Sequence, residues 1–94
     1  MENPGLRSFL PHVHDAFVAI REGGEVQFVL VEASALDGSA TTDKSFSLIF
    51  HSQSPTLFPQ DIFRLEHPVA GECEIFLVPV GRHKSGFVYQ AIFN

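Results

Sequence analysis

Glu66-His67-Pro68-Val69-Ala70-Gly71-Glu72-Cys73-Glu74-Ile75-Phe76-Leu77-Val78-Pro79-Val80-Gly81 decides the fold class, together with the basic turn Arg82-His83-Lys84-Ser85-Gly86 and the closing run Phe87-Val88-Tyr89-Gln90-Ala91-Ile92-Phe93-Asn94. Apolar runs rich in Val, Ile and Phe, bracketed by Pro and Gly, are the pattern of short antiparallel strands joined by reversals. The same grammar recurs upstream. It predicts strands at about 15 to 21, 25 to 35, 45 to 51, 61 to 67, 72 to 80 and 87 to 93. No stretch sustains a helical period. The expectation is one all-β domain spanning 1–94, a small antiparallel barrel or roll of about six strands whose last three form a meander.

Side chains alternate along a strand, so the turns set which residues share a face. Taking Pro68-Val69-Ala70-Gly71 as the reversal puts Phe63, Leu65, Phe76, Val78, Val80, Phe87, Tyr89, Ala91 and Phe93 on the core face. Ile62, Arg64, Glu66, Cys73, Ile75, Leu77, Val88, Gln90 and Ile92 then form the other face, which is too apolar for a wholly solvated surface. Pro79 has no amide hydrogen and belongs at a bulge or past the end of pairing with one neighbour.

Ninety-four residues with ten Phe, one Tyr and no Trp are enough for one modest core that needs few partners for polar ring tips. Six Lys and Arg against eleven Asp and Glu give a net charge of -5, which opposes nucleic acid and anionic membranes as partners. No apolar run is long enough for a spanning helix, and the first residues lack the basic and apolar regions of a signal peptide. Cytoplasm is the expected compartment. The single cysteine excludes an internal disulfide and a cysteine zinc cluster.

Glu22-Gly23-Gly24 reads as a tight hairpin turn between the first two strands. The polar segment from Leu36 to Lys44 is expected to be a mobile loop. Ser54-Pro55-Thr56-Leu57-Phe58-Pro59-Gln60 cannot be a regular strand, yet it carries two large apolar side chains, so it is expected to fold back as a lid. Phe9-Leu10-Pro11 suits a comparable role.

The motif His67-Pro68-x-x-Gly71-Glu72-x-Glu74-x-Phe76-Leu77-Val78-Pro79-Val80-Gly81 resembles a family of small bacterial proteins known only as a domain of unknown function. Phe46-Ser47-Leu48, Tyr89-x-Ala91-x-Phe93-Asn94 and Phe9-Leu10-Pro11-His12-Val13 extend the likeness over nearly the whole chain. The family offers no catalytic residues to carry over. Its association with bacterial tail-fibre-like proteins implies a structural or assembly role. Cys73 stands where such sequences usually have a larger aliphatic residue, which implies a packing thiol, and Ala70 departs in a similar way.

His12-x-His14 with Asp15 is the strongest metal candidate, because alternate residues of a strand point to one side, with His51 or His67 as a distant third ligand. The usual zinc spacing is absent, so the expectation is no metal and no cofactor. His67, placed before Pro68, is read as a turn histidine that hydrogen-bonds the following turn and is oriented by Glu66. The charges of Glu72 and Glu74 disfavour a Cys73 thiolate. The segment from Gly81 to Gly86 ends in Lys-Ser like a phosphate loop, but His83 occupies the required glycine and a strand follows. It leaves a cationic hairpin tip, Arg82, His83 and Lys84, suited to an acidic partner or simply solvated.

These readings converge on a non-enzymatic protein-binding or assembly module, an accessory of a larger bacterial or phage-tail-like structure. Its partner is another protein or a second copy, met through Ile75, Leu77, Val88 and Ile92. The alternative is a small-molecule-binding barrel or weak enzyme, with a histidine-rimmed pocket lined by Phe9-Leu10 and Leu57-Phe58.

Overall fold

Six segments of alternating inward apolar and outward polar residues become strands in the computed structural model, which describes residues 5–21, 24–36 and 45–93. They are β1 (Ala16–Arg21), β2 (Gly24–Ala35), β3 (Phe46–Ser52), β4 (Asp61–His67), β5 (Gly71–His83) and β6 (Gly86–Phe93). A single helical turn, α1 (Leu6–Phe9), and a 3-10 turn, Leu10–His12, precede them. Four residues are too few to leave a helical period in the sequence. The expected turn at 22–23 and the expected mobile loop over 37–44 lie outside the described residues.

The strands close into an antiparallel barrel in the order β1-β2-β3-β6-β5-β4. Two three-stranded meanders, β1-β2-β3 and β4-β5-β6, are joined along β3–β6 and again along β4–β1. The expected small barrel and terminal meander are thus the fold. Because β3 and β4 are not neighbours, the chain between them must cross one mouth of the barrel. It carries Phe58 over that mouth, where the ring meets Phe28 at 6.4 Å and Phe63 at 6.0 Å. The buried Tyr89 hydroxyl accepts the Phe58 amide at 3.0 Å and pins the crossing. The lid expectation holds for Phe58, whereas Leu57 faces water.

At the other mouth α1 inserts Phe9, whose ring lies 6.0 to 6.5 Å from Phe17, Phe46 and Phe93. Between the two plugs the interior is filled by Phe17, Phe28, Leu30, Leu48, Phe50, Phe63, Leu65, Ile75, Leu77 and Tyr89, all at most 1% exposed. Each such side chain contributes roughly 1.5 to 3 kcal/mol through burial. Bulges between Leu30 and Glu32 on β2 and between Pro79 and Gly81 on β5 bend the two longest strands and shift which residues point inward. Pro79 sits at the second bulge, and the pairing of β5 with β4 ends at Leu77.

The face assignment of β5 is reversed from the sequence reading. Ile75 and Leu77 are in the core, and Phe76 and Val80 face out. His67 pairs with Gly71, so the reversal has three residues rather than four. Gly71 makes this shorter turn with φ +85, a conformation costly for other residues. A register shift of one turns over every side chain of the strand.

Candidate functional site

Four features of the barrel surface could serve as sites, and the first is the histidine cluster beside α1. The chain turns between His12 and Asp15: Val13 has φ -62 and ψ 130, His14 has φ 82, and the Asp15 amide donates to the His12 carbonyl at 2.9 Å. This is a type II turn with histidine where glycine is usual. The turn is held to β2 by the Asp15 carbonyl, which accepts the Leu30 amide at 3.0 Å. Asp15 Oδ2 then lies 3.1 Å from His12 Nδ1 and 2.9 Å from His67 Nε2.

The expected pairing of His12 with His14 on one strand face is not formed, since the turn sends His14 outward to solvent. His12, Asp15 and His67 do converge, with ligand atoms within 4.8 Å of one another. The hydrogen bonds decide what joins them. His67 Nδ1 accepts the amides of Val69 and Ala70, each at 3.0 Å, so the ring proton resides on Nε2 and is donated to Asp15. A neutral imidazole binding a cation through Nε2 needs its proton on Nδ1, which here faces two N–H donors. The cluster is therefore a protonic clamp that ties the Leu10–His12 turn to the end of β4.

His67 does cap the following turn, as its position before Pro68 indicates. Asp15 orients it, whereas Glu66 points outward and is exposed. The hydrogen bonds from His67 and then His12 hold the Asp15 carboxyl below its ordinary value of 3.8, against a smaller opposing effect of burial. A depressed carboxylate stabilises the fold above its unfolded value and loses that contribution as pH falls. The unfolding midpoint in urea is expected to fall more steeply for the wild type than for Asp15→Asn between about pH 5 and pH 3. Parallel curves would remove the clamp from the acid response.

The second feature is the seam where the barrel closes. β1 and β4 pair only at Val18 and Glu66. Beyond that point Arg21 bridges the gap, bonding Asp61 at 3.0 Å and lying over the Phe63 ring at 4.2 Å. An open external groove along the seam is lined by Val18, Ile20, Glu25, Glu66, His67 and Pro68. It does not include Phe9, Leu10, Leu57 or Phe58. Phe9 and Phe58 plug opposite mouths, so the two segments expected to line one histidine-rimmed pocket do not meet.

The third feature is the outside of β4, β5 and β6. Of the four expected contact residues, Ile75 and Leu77 are buried in the core at 1% and 0% exposure, for the register reason given above. Val88 is half-buried on the outer face, and Ile92 is 50% exposed. The residues that replace the two lost ones are Phe76, 50% exposed, and its direct cross-strand partner Ile62, 58% exposed. Val80 adds to this face at the bulge. Cys73 points into the barrel, and burial pushes its thiol up to about 11. Burial, rather than the charge of Glu72 and Glu74, suppresses the thiolate.

The fourth feature is the hairpin of β5 and β6. Arg82, His83 and Lys84 form an exposed tip, with Arg82 over the Phe87 ring at 5.6 Å. The partner of His83 has no local signal: the imidazole of His51, on the outside of β3, packs against it with centroids 4.1 Å apart and the rings tilted by 34°. Only the β3–β6 register, which sets His51 opposite Val88, brings them together.

The chain belongs to the family described as a domain of unknown function, DUF6916, which matches residues 4–93. No curated protein and no solved structure matches it. Among the described residues no helix is long and apolar enough to cross a membrane.

Proposed function

We propose that this domain is a non-enzymatic protein-binding or assembly module that docks through the outer face of β4, β5 and β6. The observation that carries the reading is the exposed Ile62–Phe76 pair, continued toward Val80 and Ile92. The interior is already filled with rings, so these side chains are surplus to the core. A phenylalanine directly opposite an isoleucine, both in water, is the kind of patch that a partner surface covers. The flanking Arg64 and Glu72, 3.5 Å apart, supply both signs of charge at its rim and suit a second copy as well as a different protein. In this reading the domain is a cytoplasmic accessory of a larger bacterial or phage-tail-like assembly.

Sedimentation velocity and co-purification of the full chain test it, with Ile62→Glu combined with Phe76→Glu. The double variant is expected to fold with a slightly lowered unfolding midpoint: both side chains already face solvent, but two glutamates directly opposite each other repel by roughly 0.2 to 1 kcal/mol. It should weaken self-association or partner retention by at least about tenfold, as loss of a central aromatic anchor does. A folded double variant with unchanged mass distribution and unchanged partners sinks the proposal.

A further inference from the structure

Charge is not spread evenly over this acidic chain. Arg21 is paired with Asp61 and Arg64 with Glu72, whereas Arg82 and Lys84 form no ion pair among the described residues. Both unpaired cations are on the β5–β6 hairpin, on either side of His83. Lys84 also has φ 52, in the left-handed region that favours glycine. The two-residue loop between His83 and Gly86 requires that positive φ, and it holds Lys84 at the exposed tip.

Among the described residues no carboxylate forms an ion pair with His51 or His83. From β2, Val29 stands opposite His51; from β6, Val88 does. The outward carboxylate of β2, Glu32, stands opposite Ile49 and accepts a hydrogen bond from the Ser34 hydroxyl. From the hairpin come Arg82 and Lys84, both cationic. We propose that this tip, His51 and His83 flanked by Arg82 and Lys84, is a docking site for an acidic protein segment, gated by protonation of the imidazole pair.

The gate follows from the geometry. Two rings 4.1 Å apart beside two fixed cations resist a second positive charge. Burial first, and the neighbouring His83 second, hold His51 below its ordinary value of 6.5. Bound carboxylates reverse that balance by accepting N–H bonds from the imidazolium groups. Binding therefore takes up protons, and by linkage it tightens as pH falls. The overall charge of -5 repels an extended polyanion, while a short acidic segment need meet only the tip. The site adjoins the outer face at Val88 and uses neither Ile62 nor Phe76.

The test measures fluorescence anisotropy of a labelled peptide of alternating Glu and Gly against the full chain at low salt. The Gln–Gly counterpart and a single-stranded oligonucleotide serve as comparison probes. Affinity for the Glu peptide is expected to rise about tenfold from about pH 7.5 to 5.5, the value for uptake of roughly one proton partly linked to binding. Glutamates remain ionised in that window. His51→Gln with His83→Gln should abolish most of the rise and leave binding at pH 7.5 within about twofold, whereas Arg82→Gln with Lys84→Gln should weaken binding at both values. Ile62→Glu with Phe76→Glu should leave all of this intact, which separates failure of this site from failure of the apolar face. An undiminished rise in the His51→Gln, His83→Gln double variant, equal binding of the Gln probe, or an oligonucleotide that binds as well as the peptide would each overturn the proposal.

Discussion

Gly86→Ala is expected to destroy the native barrel. A Cβ at this position would lie 1.6 Å from the carbonyl oxygen of Ser52, 2.7 Å from its carbon and 2.8 Å from the Cα of Gln53. All three are backbone atoms at the end of β3, so no side-chain rotation relieves the contact. Relief requires β3 and β6 to separate where Ser52 pairs with Phe87, and that seam runs on to Phe46 and Phe93. Opening it exposes the rings that fill the barrel. The loss should exceed about 4 kcal/mol, a large share of the roughly 5 to 15 kcal/mol that stabilises a domain. Chemical denaturation followed by circular dichroism checks it. Gly81→Ala is the control, because nothing lies within 4 Å of its added Cβ; its cost should stay below about 1 kcal/mol. Similar midpoints for the two variants would contradict the close β3–β6 approach.

That glycine illustrates which parts of the molecule were legible in the chain. Strand positions were, because period-two alternation and turn residues are local: all six strands lie where Val, Ile and Phe alternate, although β5 continues to His83. Gly86 reads locally as a turn glycine, and its real constraint, the backbone of β3, is more than thirty residues away. The role of Pro79 was legible because a missing amide hydrogen has one structural meaning in a sheet. The interior of β5 was not, because it depends on whether the turn after His67 has three residues or four. His67 hydrogen-bonds that turn, as its place before Pro68 indicates. Its other partner, Asp15, lies at the opposite end of the chain from any local pattern. The same holds for His51 and His83, which only the β3–β6 register brings together. Local chemistry thus identified single residues, and long-range pairing decided their company.

Leu77 carries the sharpest consequence of that register. The alternation with a four-residue turn makes Leu77→Glu a harmless surface change, whereas the barrel makes it one of the worst substitutions available. Leu77 is fully buried beside Ile75, and its strand neighbour Phe76 is half exposed on the opposite face. Leu77→Ala removes packed methyl groups and leaves a cavity, at a cost of about 2 to 5 kcal/mol. Leu77→Glu adds an unpaired carboxylate among the apolar side chains of the core, where burying it is costly. It should leave the chain largely unfolded at neutral pH. The sign of its pH response is diagnostic. A buried carboxyl has its folded pKa raised above the unfolded value, so the native state regains stability as pH falls toward that raised value. Leu77→Glu should therefore recover part of its native circular dichroism between about pH 7 and pH 5. The Asp15 contribution runs the other way, falling between about pH 5 and pH 3, because that carboxyl is depressed. Phe76→Glu, one residue along, should show neither the loss nor the recovery. If Leu77→Glu were folded at neutral pH with a wild-type midpoint, the three-residue turn at Gly71 and the inward face built on it would be wrong, and Ile75 and Leu77 would return as surface candidates.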